Sequence, residues 1–85
     1  MHRAATEYTI SRQLVQQYER AILSGVRRVR DEKQRRLREG RESLDVFLTA
    51  EQQYDEVVQR YLEALVNHRR SMLRLNQAVG QRLLP

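Results

Sequence analysis

The segment Leu37-Arg38-Glu39-Gly40-Arg41-Glu42-Ser43-Leu44-Asp45 decides the fold of this chain, because it holds the one interior break that has a mechanism behind it. The residues on either side, Leu37 to Glu39 and Ser43 to Leu48, read as good helix. Gly40 tolerates the left-handed backbone that closes a helix. Ser43 caps the next helix, since its hydroxyl can accept from a free amide of the first turn, and Asp45 sets negative charge at that positive end. The segment therefore predicts one helix over about 5–39, a tight turn over 40–43, and a second helix over about 44–79. Gly80 ends the second helix in the same way, with Pro85 soon after.

Outward from the turn, the periodicity is that of two paired helices. In the second arm Phe47, Glu51, Tyr54, Val58, Tyr61, Leu65, His68, Met72, Leu75 and Val79 follow one another in alternating steps of four and three, the spacing of a coiled-coil seam. In the first arm Tyr8, Ser11, Val15, Tyr18, Ile22, Gly25 and Val29 keep the same spacing, after which the seam positions become Glu32 and Arg36 and the seam frays. There the pairs Asp31 with Arg35 and Glu32 with Arg36, four residues apart, are expected to support the helix. Gly25, unfavourable inside a helix, suggests a close backbone approach or a kink. The expected fold class is all-α, an antiparallel helical hairpin of the coiled-coil kind forming a single domain over residues 1–85.

A partial second stripe, Leu44, Leu48, Leu62, Val66 and Leu73, makes the second helix apolar over more of its surface than one partner helix covers. Self-association is therefore expected, as an antiparallel four-helix dimer in isolation. Its seam would be Val15, Tyr18, Ile22 and Val29 of the first arm with Phe47, Tyr54, Val58, Tyr61, Leu65, Met72, Leu75 and Val79 of the second.

Composition narrows the possible functions. The chain has 85 residues, no Cys, no Trp, one Pro and three Gly, too few turn residues for a barrel or sandwich of short strands and no Cys-built staple for a small domain. Its net charge of +5 is concentrated between Val26 and Glu42, where Arg27, Arg28, Arg30, Lys33, Arg35, Arg36, Arg38 and Arg41 outnumber Asp31, Glu32, Glu39 and Glu42. Such a helix suits an acidic partner or nucleic acid, but the interleaved acids repel phosphate and no aromatic side chain lies among the cations to stack on bases. No apolar run reaches the ~18 residues of a membrane-spanning helix, so no direct membrane insertion is expected. Met1-His2-Arg3-Ala4 leads into polar sequence rather than a signal-peptide core.

Chemistry has little to work with. There is no Cys nucleophile and no Gly-rich phosphate loop, and the two histidines are His2, near the terminus, and His68, whose helical neighbours Ala64 and Met72 offer a metal no partner ligand. The paired carboxylates Asp31 with Glu32 and Asp55 with Glu56 read as solvated faces, and Tyr8, Tyr18, Tyr54 and Tyr61 read as seam packing. No enzyme activity, metal or cofactor is expected.

The run from Gly40 through Ser43, Leu44, Asp45, Val46, Phe47, Leu48 and Ala50 to Tyr54 resembles the turn of the TolC-like outer membrane factors, the exit ducts of bacterial efflux and type I secretion systems. In that family a Gly is followed by a small hydroxyl residue, an apolar "DVL"-type segment, an Ala ten residues after the Gly, and an apolar or Tyr position; here these are Gly40, Ser43, Leu48, Ala50 and Tyr54. Upstream, Tyr18-Glu19-Arg20-Ala21-Ile22-Leu23-Ser24 is similar to the family's "Y...ILP" segment, with Ser24 where many members have Pro. Downstream, Tyr61 and Ala64, then Leu73, Ala78 and Gly80, resemble its closing pattern. The similarity runs from about Gln13 to Leu83 and covers only the family's last long hairpin. It implies a transport role without covalent chemistry, in the wall of a trimeric periplasmic α-barrel at the outer membrane. The turn would face a periplasmic adaptor protein and an inner-membrane pump, and the matching tip residues are Gly40, Arg41, Glu42, Ser43, Leu44, Val46, Leu48 and Ala50. The alternative is a free-standing helical-bundle interaction protein whose basic arm binds an acidic partner or nucleic acid.

Overall fold

The computed structural model describes residues 2–80, so Pro85 and Leu83 lie outside the described residues. Every element is helical: α1 (His2–Gln17), a π turn (Tyr18–Ile22), α2 (Leu23–Arg38) and α3 (Leu44–Ala78). The first three form one arm, which folds back antiparallel on α3 to make a rod of 60 × 19 × 17 Å. The 35 residues of α3 account for most of that length at ~1.5 Å per residue.

The turn forms as its residues dictate. Gly40 has φ +74°, the left-handed region. Its N–H donates to the Leu37 carbonyl (3.1 Å) and the Arg41 N–H to the Arg36 carbonyl (2.8 Å), the paired bonds that satisfy the last free carbonyls of a helix. Ser43 is extended, at φ −77° and ψ 156°, and its side chain accepts from the Val46 N–H at 3.3 Å. Two adjacent sequence signals thus close one helix and open the next within five residues, 39–43.

The first arm departs from the uninterrupted helix over 5–39 that periodicity predicts. At Tyr18–Ile22 the hydrogen bonds lengthen by one residue, and the Leu23 N–H reaches back to the Tyr18 carbonyl. One extra residue per turn shifts everything after it by one position on the helix face. Before the π turn the half-buried or buried positions include Tyr8, Ser11 and Val15, as the spacing predicts; after it they include Leu23, Val26, Arg30, Lys33 and Leu37, each one residue later than expected. Ile22, Val29 and Arg36 turn outward as a result, with Ile22 37% and Val29 48% exposed. The seam does not fray at Glu32 and Arg36; it continues one residue on and ends at Leu37. Gly25 sits in regular helix with open space where a Cβ would be, so the irregularity expected there lies instead in the preceding turn.

The interior is thin. Among the described residues only Val15, Ala50, Ala64 and Ser71 are buried. Ala50, Val57, Ala64 and Ser71 recur every seven residues and form the line of α3 nearest the first arm. Their small volumes let the two backbones approach, and larger side chains close the seam from one side. There Tyr8 packs on His68 (ring centroids 5.3 Å apart), Tyr18 on Tyr61 (6.0 Å), and the Arg30 guanidinium lies over Tyr54 (4.2 Å). Phe47, Val58, Leu65, Met72, Leu75 and Val79 are half-buried along the same arc.

Candidate docking surface

Near the turn, acids and bases of the first arm neutralise one another. Glu32 accepts from both Arg35 and Arg36, Arg35 also reaches Glu39 (3.0 Å), Glu42 takes Lys33 (3.5 Å) and Arg36 (3.8 Å), and Arg41 meets Glu39 (3.5 Å). The hydrogen bonds from Arg35 and then Arg36 hold the Glu32 carboxyl below the ordinary carboxylate range. Glu32 with Arg36 is the expected pair, at 3.1 Å. Asp31 does not meet Arg35 as expected, because its neighbour Arg30 takes it at 3.1 Å while Arg35 is committed to Glu32 and Glu39. Of the cations between Val26 and Glu42, Arg27, Arg28 and Arg38 make no ion pair among the described residues.

The tip residues singled out by resemblance divide into two groups. Leu44, Val46 and Leu48 are exposed at 56%, 37% and 49%, and Gly40, Arg41 and Ser43 are exposed at the turn itself. Ala50 points the other way. It is 6% exposed and packs against the first arm, so it sets the spacing of the arms rather than a surface. Glu42 is half-buried and engaged by Lys33 and Arg36. Val29 and Val46 line a shallow groove together with Lys33, Thr49, Ala50 and Gln53, which widens the apolar area of the tip on one side.

The stripe along α3 stays open in the hairpin: Leu62, Val66 and Leu73 are 48%, 50% and 58% exposed, and Leu48 joins them toward the tip. The first arm covers the Ala50–Ser71 line and leaves this one in water. Covering such side chains stabilises by on the order of 1 kcal/mol each at half burial, so the open stripe is a strong incentive to bind something apolar.

One cluster pairs a hydroxyl with an imidazole, the combination from which a nucleophile could be built. Ser11 Oγ lies 2.9 Å from His68 Nδ1 and 2.7 Å from Ser71 Oγ. Ser11 Oγ is also 3.0 Å from the Tyr8 carbonyl and Ser71 Oγ 2.8 Å from the His68 carbonyl, so one hydroxyl proton bridges the pair while the other has an acceptor in its own helix. The surrounding backbone N–H groups are spent on helical bonds, which leaves none to stabilise an oxyanion. The cluster is a satisfied polar patch in the seam. No buried side-chain nitrogen or oxygen among the described residues lacks a partner, and none of their His, Asp and Glu side chains group into a metal site. Periodicity places His68 and Ser11 on the seam; that they meet each other requires the register.

Among the described residues, no helix is long and apolar enough to cross a membrane. No family model, curated protein or solved structure matches this chain.

Proposed function

We propose that this chain is a structural and docking hairpin, of the kind that lines the periplasmic duct of TolC-like efflux and secretion channels, with its turn presented to a periplasmic adaptor. The observation that carries this reading is that α3 is apolar on two sides while only one is covered. Leu44, Leu48, Leu62, Val66 and Leu73 stay exposed beside a fully formed inter-arm seam. A helix in the wall of a tube needs a neighbour on each side. The tip supports the second half of the reading, since a short turn flanked by Leu44, Val46 and Leu48 can enter the groove of another coiled coil end-on.

In such a role the protein performs no covalent step. Its function is mechanical: the hairpin keeps the turn about 50 Å from the far end of α3, at ~1.5 Å per residue. The aromatic side chains along the seam and the Glu7–Arg74 ion pair keep the arms in register. The rival reading, a basic arm gripping nucleic acid or an acidic partner, has less behind it, because Arg30, Lys33, Arg35, Arg36 and Arg41 are already engaged by acids of the same hairpin.

The test is binding to the purified helical hairpin of a periplasmic adaptor from the same genome. Replacing Leu44 and Leu48 with Glu should weaken saturable binding at least about tenfold while helicity by circular dichroism is unchanged. An adaptor that does not bind, or binds the variant equally well, would refute the docking role. Salt-sensitive binding to duplex nucleic acid, lost on removing Arg27, Arg28 and Arg38, would put the rival ahead.

A further inference from the structure

The exposed face of α3 is a second seam in its own right. Leu48, Gln52, Asp55, Gln59, Leu62, Val66, Arg69 and Leu73 follow one another in steps of four and three, the spacing of the seam that meets the first arm, but on the side away from it. Its apolar members, Leu48, Leu62, Val66 and Leu73, are 49%, 48%, 50% and 58% exposed.

Charge along this helix is lopsided. From Asp45 to Glu63 the acids Asp45, Glu51, Asp55, Glu56 and Glu63 stand against Arg60 alone; from Ala64 to Ala78 there are Arg69, Arg70 and Arg74 and no acid. Little of this is spent inside the hairpin. Arg74 meets Glu7 at 3.2 Å, whereas Asp55, Glu56, Glu63, Arg69 and Arg70 form no ion pair among the described residues. A helix acidic in its first half and basic in its second is complementary to its own reverse and repels its own parallel copy.

We propose that two copies of this chain pair antiparallel along this outer face, with the two α3 helices at the centre of a four-helix assembly and the first arms outside. The midpoint of the seam lies between Gln59 and Leu62. Pairing about that point sets Leu48 against Leu73 of the second copy, Leu62 beside Gln59, Gln52 beside Arg69, and Asp55 beside Val66 with Arg69 of the second copy within one turn. Parallel pairing would stack Asp55 on Asp55 and Arg69 on Arg69. This pairing uses the same open stripe as the duct reading but not its identification with a duct. A chain that dimerises this way while its turn binds no adaptor would overturn only that reading.

The chain has no cysteine, so single-cysteine variants report the geometry cleanly. Leu48→Cys and Leu73→Cys chains, each exposed enough to substitute safely, are oxidised separately and as an equimolar mixture. The mixture should give the disulfide-linked heterodimer in at least about tenfold higher yield than either alone gives homodimer. In the otherwise native chain, Arg69→Glu should raise the dimer dissociation constant by sedimentation at least about tenfold, and adding Asp55→Arg should restore it. The proposal is overturned if the Leu48→Cys chain or the Leu73→Cys chain cross-links to itself as readily as to the other. A helical chain that stays monomeric at about 100 μM would overturn it equally.

Discussion

The half of the hairpin near the chain ends and the half near the turn differ in how much joins the two arms. Toward the ends, the arms meet through Val15, Ala64 and Ser71, all buried, and through Tyr8 on His68 and Tyr18 on Tyr61. Toward the turn, Ala50 is the only buried residue among those described, and the ion pairs centred on Glu32, Glu39 and Glu42 tie the first arm to itself and to the turn, whereas the ion pair that crosses between the arms, Arg74 with Glu7, lies in the other half. The π turn lies between the two halves. The contrast teaches that one hairpin can join its arms by close packing and cross-arm contacts in one half, while in the other its charges stiffen a single arm and the turn. With less buried between the arms there, the turn half is the half expected to open first.

The strongest way to break this comparison is to crowd the packed half. Ala64→Leu forces a large side chain into a site only 5% exposed and should destabilise the hairpin by about 1–3 kcal/mol in a urea melt. An effect near zero would mean that the arms do not approach closely there. Next comes the turn: Gly40→Ala places a Cβ at φ +74° and should cost about 1–2 kcal/mol, with the loss read as faster hydrogen exchange beginning around residues 36–48. Stability unchanged by this substitution would show that the turn adopts another backbone in solution.

The π turn offers a subtler test. Deleting Ala21, an exposed residue within it, should convert it to ordinary α-helix while Leu23, Val26 and Arg30 keep their places on the seam, changing stability by less than about 0.5 kcal/mol. Deleting Gln13 instead removes a residue where there is no excess and should be far more damaging. Equal effects would count against a register shift. The smallest expected effect is on pH dependence. Glu32 has its carboxyl pushed down by Arg35 and Arg36, so the stability it adds is present above its unfolded value and is lost as pH falls through the lower folded value. Thermal melts should therefore decline on the acid side, and Glu32→Gln should flatten part of that decline. An unchanged acid profile would mean those pairs are not formed in solution.

Much of the hairpin is legible in the residues. Gly40 and Ser43 announce the turn because the left-handed backbone and the free amides of a helix start can each be met by few residue types. The predicted seam of the second arm from Phe47 to Val79 is half-buried throughout, since an uninterrupted 35-residue helix preserves its own spacing. The line nearest the first arm, Ala50, Val57, Ala64 and Ser71, lies beside it and is not legible, because small side chains give no strong apolar signal. The first arm reads correctly only as far as Tyr18. A π turn leaves no strong mark in sequence, yet it moves every later residue by one position, which is why periodicity puts Ile22 and Val29 on the seam and leaves Arg30 off it. Ala50 misleads in a different way: the family resemblance assigns it to the tip, but it is buried and its small size serves the close approach of the arms.

The residues by themselves determine that the chain is helical, that it folds back at Gly40, and that α3 is apolar on two sides, because capping, propensity and periodicity act over a few neighbouring positions. Only the tertiary structure decides the register of the first arm beyond Tyr18, the meeting of Ser11 with His68, and the place of Ala50, Val57, Ala64 and Ser71 nearest the first arm. Those depend on how two helices approach each other, and the position of one inserted residue changes the answer for all that follow.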